Sequence, residues 1–170
     1  MTFTPFLEAP TYIQIHASAA ALAVVLGPFV ILRNRRDRLH KTGGYIWVLA
    51  MLVVAISSFW IKEFGLIGPL SPIHLLSVLT LWTLWVGMRH AFAGRIDQHR
   101  AAFQNLYWRG LLIAGLFNFM PGRATNRSVF PETPDAGWLV IVIGMAVIFG
   151  DVARRRIMQI RLARNSEICP

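Results

Sequence analysis

Five apolar runs, each about as long as a helix must be to cross a bilayer, make up most of this chain of 170 residues. The clearest run, 12–32, is 21 residues long without a formal charge and ends at Arg33. With a rise of about 1.5 Å per residue, about 20 apolar residues match a hydrocarbon core of roughly 30 Å. A soluble domain of this size has no room to bury five such segments, so the sequence predicts a polytopic membrane protein.

These runs predict an all-α membrane bundle of five transmembrane helices, folded as a single integral membrane domain over residues 1–170. The composition agrees, since hydrophobic residues make up 55% of the chain and the mean hydropathy is +0.52. Little of the chain remains for a separate soluble domain. The predicted spans are 12–32, 43–61, 72–90, 103–121 and 137–153, followed by a basic tail over 154–170.

The net charge of +9 raises nucleic acid as a partner, but the basic residues occupy short loops between the apolar runs. Thirteen Lys and Arg residues lie in 33–42, in 89–101 and after residue 153, whereas the loops on the opposite side carry three. The positive-inside rule therefore predicts an N-terminus outside and a C-terminus in the cytoplasm. We expect a multi-pass protein of the bacterial cytoplasmic (inner) membrane, with the lipid bilayer and not nucleic acid as its partner.

Several enzyme classes have sequence signatures that this chain lacks. It has no phosphate-binding glycine loop, no His-Glu-x-x-His zinc helix and no Gly-x-Ser-x-Gly nucleophile turn. Carboxylates are almost absent from the predicted spans, which argues against a carboxylate-based ion pump. Cys169 is the single cysteine, so an intrachain disulfide and two-cysteine redox motifs are excluded. No residue is assigned a catalytic role.

Histidines recur at similar spacing in the first four predicted spans. His16 and His40, at the starts of spans one and two, lie 24 positions apart. His74, at the start of span three, and His99, just before span four, lie 25 positions apart. This spacing predicts that the first four helices form two parallel hairpin repeats, and the alternative is chance, because similarity beyond the histidines is poor.

In a bundle these histidines form two layers, with His16 and His74 near the external side and His40 and His99 near the cytoplasmic side. Two imidazoles from different helices are what the axial ligation of haem iron requires. The hypothesis is therefore that the four histidines bind haem b, one haem in each layer.

Small and basic residues lie near both predicted layers. Small residues would make room for a porphyrin: Gly27 and Gly87 in the first span of each hairpin, and Gly43, Gly44, Ala101 and Ala102 after the second histidines. Basic side chains would bind the propionates. The basic candidates are Arg36, Arg38, Arg95 and Arg100 in the cytoplasmic layer and Arg123 in the external layer.

The histidines also have ordinary explanations. His40 and His99 lie in basic loops, where an imidazole is solvated or contacts lipid phosphate. The pair inside the spans is a functional candidate by default, although an imidazole there is also satisfied by a backbone carbonyl or a neighbouring Ser or Thr. His90 is interpreted as interfacial. Arg109 is interpreted as an anchor that extends to the cytoplasmic interface.

Six short sequence pieces carry a family resemblance: Ile15-His16, Leu26-Gly27-Pro28, His40-Lys41-Thr42-Gly43, Ser71-Pro72-Ile73-His74, His99-Arg100 and Pro121-Gly122-Arg123. In this order and spacing they resemble a bacterial family of predicted membrane proteins of unknown function. The pieces extend over about two thirds of the chain. The resemblance implies a fold and a membrane location, and it implies no activity.

The two-layer arrangement is also similar to that of transmembrane di-haem b-type cytochromes of the ascorbate-reducible kind. This resemblance implies that His16 pairs with His74 and that His40 pairs with His99. Two features depart from the cytochrome pattern. The spacing within each hairpin is shorter here, and the cytoplasmic pair lies at helix ends, where a haem would be exposed to water or absent.

The leading functional interpretation is a haem-binding membrane protein that transfers electrons between a quinone or an external reductant and an acceptor, such as another redox protein. One alternative is a non-enzymatic accessory or assembly protein with interfacial histidines. The other is a small transporter, which predicts a continuous polar path lined by groups such as Ser57, Ser58 and Asn118.

Overall fold

The computed structural model describes residues 4–33, 35–61 and 72–168. The turn predicted around Gly65, Gly68 and Pro69, and the residue Cys169, lie outside them. The described residues form helices and no β-strand, which confirms the predicted all-α class. The helices are α1 (Thr4–Leu7), α2 (Thr11–Ile31), α3 (Arg38–Ser57) with a 3₁₀ turn (Ser58–Trp60), α4 (Pro72–Phe92), α5 (Ile96–Asn105), a π-helical segment (Leu106–Leu112), α6 (Ile113–Phe117), α7 (Ala124–Val129) and α8 (Ala136–Ile168).

Four helical segments of the described residues are long and apolar enough to cross a membrane. They are Thr11–Ile31, Arg38–Trp60, His74–Phe92 and Ala136–Met158. They correspond to the predicted spans 12–32, 43–61, 72–90 and 137–153. Helix α8 does not stop at the end of its predicted span but continues through most of the predicted tail to Ile168. A helical protein with several spans is therefore confirmed, whereas the count of five exceeds the four that meet this criterion.

The helix in the region of the fourth predicted span, 103–121, has other bounds and contains a π-helical segment. The helix begins at Ile96, directly after a turn at Gly94, whose φ of 73° suits glycine. It continues through the π-helical segment and ends at Phe117. Its first two turns are polar, so the apolar pattern begins later than the helix does. We call residues 96–117 the fourth helical run.

Helices α2 and α3 form an antiparallel hairpin. Near its middle, Trp47 Nε1 donates to the carbonyl oxygen of Ala23 at 2.9 Å. Further along α3, Ser57 meets His16, so higher numbers in α3 face lower numbers in α2. This is the direction that two helices joined by a short loop must take.

Helix α4 and the fourth helical run form a second hairpin. The side chain of His99 bonds to the carbonyl oxygen of Gly87, and the ring of Phe103 lies against the α-carbon of the same glycine. We call the end of the bundle where α2 and α4 end and α3 and α5 begin the basic end, and we call the opposite end the far end.

The loop at the basic end is held by an ion pair. Arg33 donates to the carboxylate of Asp37, and Asp37 also caps α3 by accepting from the backbone N–H of His40 at 3.0 Å. The Arg33 guanidinium, together with that backbone N–H, lowers the pKa of Asp37 to about 2. The Asp37 carboxylate therefore stays ionised at any physiological pH and fixes the first turn of α3, which carries His40.

Aromatic rings fill the space between the two hairpins. Trp47 is 1% exposed and packs edge-on against Phe103, with ring centroids 5.5 Å apart. Tyr107 is also buried, and its hydroxyl donates to the carbonyl oxygen of Val24 at 3.0 Å. These rings pack the fourth helical run tightly against α2 and α3.

The outside of the bundle is apolar. Large side chains such as Phe29 on α2, Leu75 on α4 and Leu139 on α8 are exposed. Apolar surfaces of this extent are unfavourable in water and match the hydrocarbon core of a bilayer. Helices that are apolar on their outer faces and packed inside are expected of a membrane bundle.

Candidate functional site

His16 is bonded to the end of α3. Its Nδ1 lies 3.0 Å from the hydroxyl oxygen of Ser57. The Ser57 hydroxyl donates to the carbonyl of Val53 at 2.6 Å, so its oxygen is left to accept from the imidazole. The Nδ1 of His16 therefore carries the proton in the neutral ring, and the lone pair lies on Nε2.

His74 meets the same end of α3 through different contacts. It is 8% exposed, its Nε2 lies 3.4 Å from the carbonyl oxygen of Phe59, and its ring centroid lies 5.6 Å from that of Phe59. One turn further on, the hydroxyl of Ser77 bonds to that of Ser58. Polar groups thus connect both α2 and α4 to the end of α3, as hydroxyl and carbonyl partners commonly do between membrane helices.

His99 at the basic end is bonded to a backbone carbonyl. Its Nδ1 lies 3.0 Å from the oxygen of Gly87, and its ring packs edge-on against Phe103 at 4.8 Å. A carbonyl only accepts, so Nδ1 must carry a proton and Nε2 is the remaining ligand nitrogen. This arrangement is typical of histidines that bind metals, because the second-shell bond fixes the tautomer and the ring orientation.

Two further imidazoles lie near His99. His40 on α3 and His90 on α4 both act electrostatically on the His99 ring, as does Arg36. Nδ1 of His40 and Nδ1 of His90 are buried and have no hydrogen-bond partner among the described residues. Buried polar atoms without a partner are rare and call for a bound group or a water molecule. The structure thus brings His40 near His99 and adds His90, which the sequence interpretation had treated as interfacial.

The environment of His99 favours its neutral form. Burial lowers the pKa of His99, and the positive charges of His40, Arg36 and His90 lower it further, against the opposing effect of the Gly87 carbonyl. A histidine with a pKa below its ordinary value is neutral at pH 7, and a neutral imidazole is the form that ligates iron.

Gly27 and Gly87 do not provide the space that the sequence interpretation predicted for a porphyrin. A Cβ added to Gly27 would lie 2.1 Å from the ring of Tyr107, and one added to Gly87 would lie 2.7 Å from the ring of Phe103. These two aromatic rings occupy two of the surfaces that the sequence interpretation gave to a porphyrin. Both glycines therefore serve the close packing of aromatic rings on α2 and α4.

The basic residues that were predicted to bind propionates are spread over the surface. Arg36 lies near enough to influence His99. Arg38, Arg95 and Arg100 are exposed at the same end. Arg123 directly precedes α7, is partly buried, and donates its backbone N–H to the carbonyl of Met120 at 3.1 Å. The charge of Arg36 therefore reaches a predicted ligand, His99.

The part of the chain that the structure describes gives little support for a zinc-like metal site or for the polar path of a transporter. Within it, no three His, Cys, Asp or Glu side chains are grouped to hold a metal ion. Axial ligation of haem needs only two imidazoles, so this finding concerns zinc-like sites. The polar groups named for a transporter lie apart: Ser57 and Ser58 are buried at the end of α3, whereas Asn118 is exposed after α6, which packs on α8.

An all-helical bundle with four candidate spans and an apolar exterior defines a multi-pass integral membrane protein. A family model described as predicted membrane protein (DUF2306) matches residues 13–149, and the chain belongs to this family. The match confirms the family resemblance carried by the six sequence pieces. Neither a curated protein nor a solved structure matches the chain. The resemblance to di-haem cytochromes stays a prediction.

Proposed function

We propose that this membrane protein binds haem b at its basic end, with His40 and His99 as axial ligands, and transfers electrons between a quinone or an external reductant and an acceptor. One observation carries the proposal. A buried nitrogen of His40 has no partner among the described residues, and the His40 ring acts electrostatically on His99, whose Nδ1 bond to Gly87 leaves Nε2 for a ligand.

The two histidines project from different elements, as axial ligation requires. His40 lies in the first turn of α3, where the Asp37 cap holds the backbone, and His99 lies in the first turn of α5. His40 is held through its backbone N–H and His99 through its Nδ1, and each ring keeps a nitrogen for a ligand. Haem iron, when bound, supplies a one-electron carrier whose potential is tuned by such second-shell bonds and by nearby charge.

Arg36 has the charge that a haem propionate needs. Its positive charge acts on the His99 ring, and a guanidinium forms strong bidentate hydrogen bonds with a carboxylate. The same positive charge would favour the reduced form of the iron centre, because it opposes the extra positive charge of the ferric state.

The second predicted haem, between His16 and His74, has weaker support. Each ring bonds to the end of α3 through one nitrogen, and within the described residues this pair has no orphaned buried nitrogen like that of His40. We retain His16 and His74, with Arg123, as a predicted second site that the following experiment also tests.

The test is a reduced-minus-oxidised absorption spectrum of protein purified after expression with a haem precursor. We expect sharp b-type bands in the wild type. The haem content should fall at least ~10-fold in His40→Ala and in His99→Ala, since loss of an iron ligand has a larger effect than loss of a second-shell bond. In His16→Ala the bands of the basic-end haem should remain.

Two results would overturn the proposal in different ways. A featureless spectrum from haem-replete cells would rule out haem binding altogether. Loss of the bands in His90→Gln, with His40→Ala unaffected, would show that the neighbouring imidazole is the ligand and that His40 has another role.

A further inference from the structure

Arg109 lies near the middle of the bundle, far from either end. Its position follows from Tyr107, two residues earlier, whose hydroxyl donates to the carbonyl of Val24 and whose ring packs on Gly27. The middle of α2 is Ala21, the eleventh of its 21 residues. At about 1.5 Å per residue, Arg109 lies within roughly one helical turn of that level.

The fourth helical run is inside the membrane at this depth whatever its own hydropathy, because it packs against spanning helices on both sides of Arg109. Tyr107 contacts α2 on one side of it, and Leu116 contacts Gly144 of α8 on the other side. The sequence interpretation placed Arg109 near the cytoplasmic interface because it started the helix at residue 103. The observed start at Ile96 puts about two further turns of helix between Arg109 and the basic end.

The side chain of Arg109 is exposed on the outer surface of the bundle. One turn earlier the polar Asn105 is exposed beside it, and one turn before that the small Ala101 is exposed. A lipid-facing surface is expected to be apolar here, and a charged side chain at the centre of a bilayer is unfavourable by several kcal/mol on any scale. Asn is a residue that commonly bonds between membrane helices.

The chain itself offers little negative charge at this depth. Seven of its eight Asp and Glu residues lie outside the four candidate spans, and Asp151, on α8, already takes part in another contact. No ion pair involves Arg109 among the described residues. Charged groups within membranes are almost always paired with one another or face a polar cavity.

We propose that the surface formed by Ala101, Asn105 and Arg109 is a docking site for a transmembrane helix of another protein that carries an Asp or Glu near its middle. The guanidinium of Arg109 pairs with that carboxylate, Asn105 bonds to the same helix, and Ala101 allows close approach of the backbones. The surface uses none of the histidines, so the inference is independent of the haem proposal.

The proposal is tested with the full chain in vesicles of zwitterionic phosphatidylcholine, where no anionic lipid competes for Arg109. Energy transfer reports the association of the chain with a synthetic leucine-rich transmembrane peptide that carries one central Glu, and with an otherwise identical peptide that carries Gln. We expect the Glu peptide to bind about 3- to 20-fold more tightly. This preference should vanish in Arg109→Gln and persist in Arg109→Lys.

Arg100→Gln is the matched control, because Arg100 is exposed on the same helix but nearer the basic end. It should keep the full preference for the Glu peptide. Equal binding of the two peptides to the wild type, or a preference that survives in Arg109→Gln, would overturn the proposal.

A photo-reactive residue at position 105 provides a second test in native membranes. Cross-linking to a membrane helix with an internal Asp or Glu, lost in Arg109→Gln, would support the proposal. Cross-linking only to lipid, or only to a second copy of this chain, would contradict it.

Discussion

A Gly27→Ala variant will lose about 1–3 kcal/mol of stability, because α2 and the fourth helical run meet at Gly27 without space for a methyl group. The added Cβ would lie 2.1 Å from Cε2 and 2.6 Å from Cδ2 of Tyr107. The ring has no free space to move into, since Tyr107 is 4% exposed and its hydroxyl is bonded to Val24. Either the two helices separate or the hydrogen bond breaks. Thermal unfolding in detergent micelles measures the loss.

A double-mutant comparison isolates the cause. In a Tyr107→Ala background the space beside Gly27 is open, so Gly27→Ala should have little further effect. Gly115→Ala is the control for the substitution itself, because nothing lies within 4 Å of its added Cβ. That control should be neutral or stabilising by up to about 1 kcal/mol. An equal loss from Gly27→Ala with and without Tyr107 would show that the contact is not the reason.

The spans were predictable where the length of an uncharged, apolar run alone determines them. A run such as 12–32 is uncharged over the thickness of a bilayer, and only a helix satisfies its backbone there. The helix found at Thr11–Ile31 therefore agrees with the prediction to within a residue at each end. The end of α8 was not predictable in the same way, because hydropathy marks the end of the apolar segment, whereas a helix can continue past it with polar residues.

For the fourth helical run, the start of the apolar pattern does not mark the start of the helix. Its start is determined by the Gly94 turn and not by the end of the charged residues. Asp97 and Arg100 are exposed and helical, and their charges prevented a prediction from hydropathy from including the first two turns of the helix. The displacement changes the interpretation of Arg109, from a residue near the interface to one near the middle of the bundle.

The sequence predicted which histidines belong to the candidate site but not how their rings are hydrogen-bonded. The spacing of the histidines predicted two layers, but it gave no information on which ring nitrogens the protein itself uses. That depends on tertiary partners such as Ser57 and Gly87. A signal for His90 was present, because it lies three residues after Gly87 and so shares a face of α4 with it. The adjacent Arg89 favoured an interfacial interpretation.

The loop between the fourth helical run and α8 is organised around a buried amide. Asn126 is 0% exposed, and its Nδ2 donates to the carbonyl oxygens of Phe119 and Pro134, each at 2.8 Å. Gly137, near the start of α8, packs directly on this arrangement. A Cβ there would lie 1.9 Å from the Phe119 oxygen and 2.2 Å from Asn126 Nδ2.

A Gly137→Ala variant will therefore disrupt the loop and lose roughly 2–5 kcal/mol, the sum of an overpacked contact and a buried amide left without its partners. The obstacle is a backbone oxygen, which cannot turn aside as a flexible side chain does. Trypsin provides a local measurement, because Arg123 and Arg127 lie within the loop and should be cleaved much faster in the variant. Gly150→Ala, on the same helix with no atom within 4 Å of the new Cβ, is the matched control and should keep the wild-type rate. Unchanged cleavage and unfolding temperature in Gly137→Ala would mean that α8 accommodates the methyl group by shifting away from Phe119.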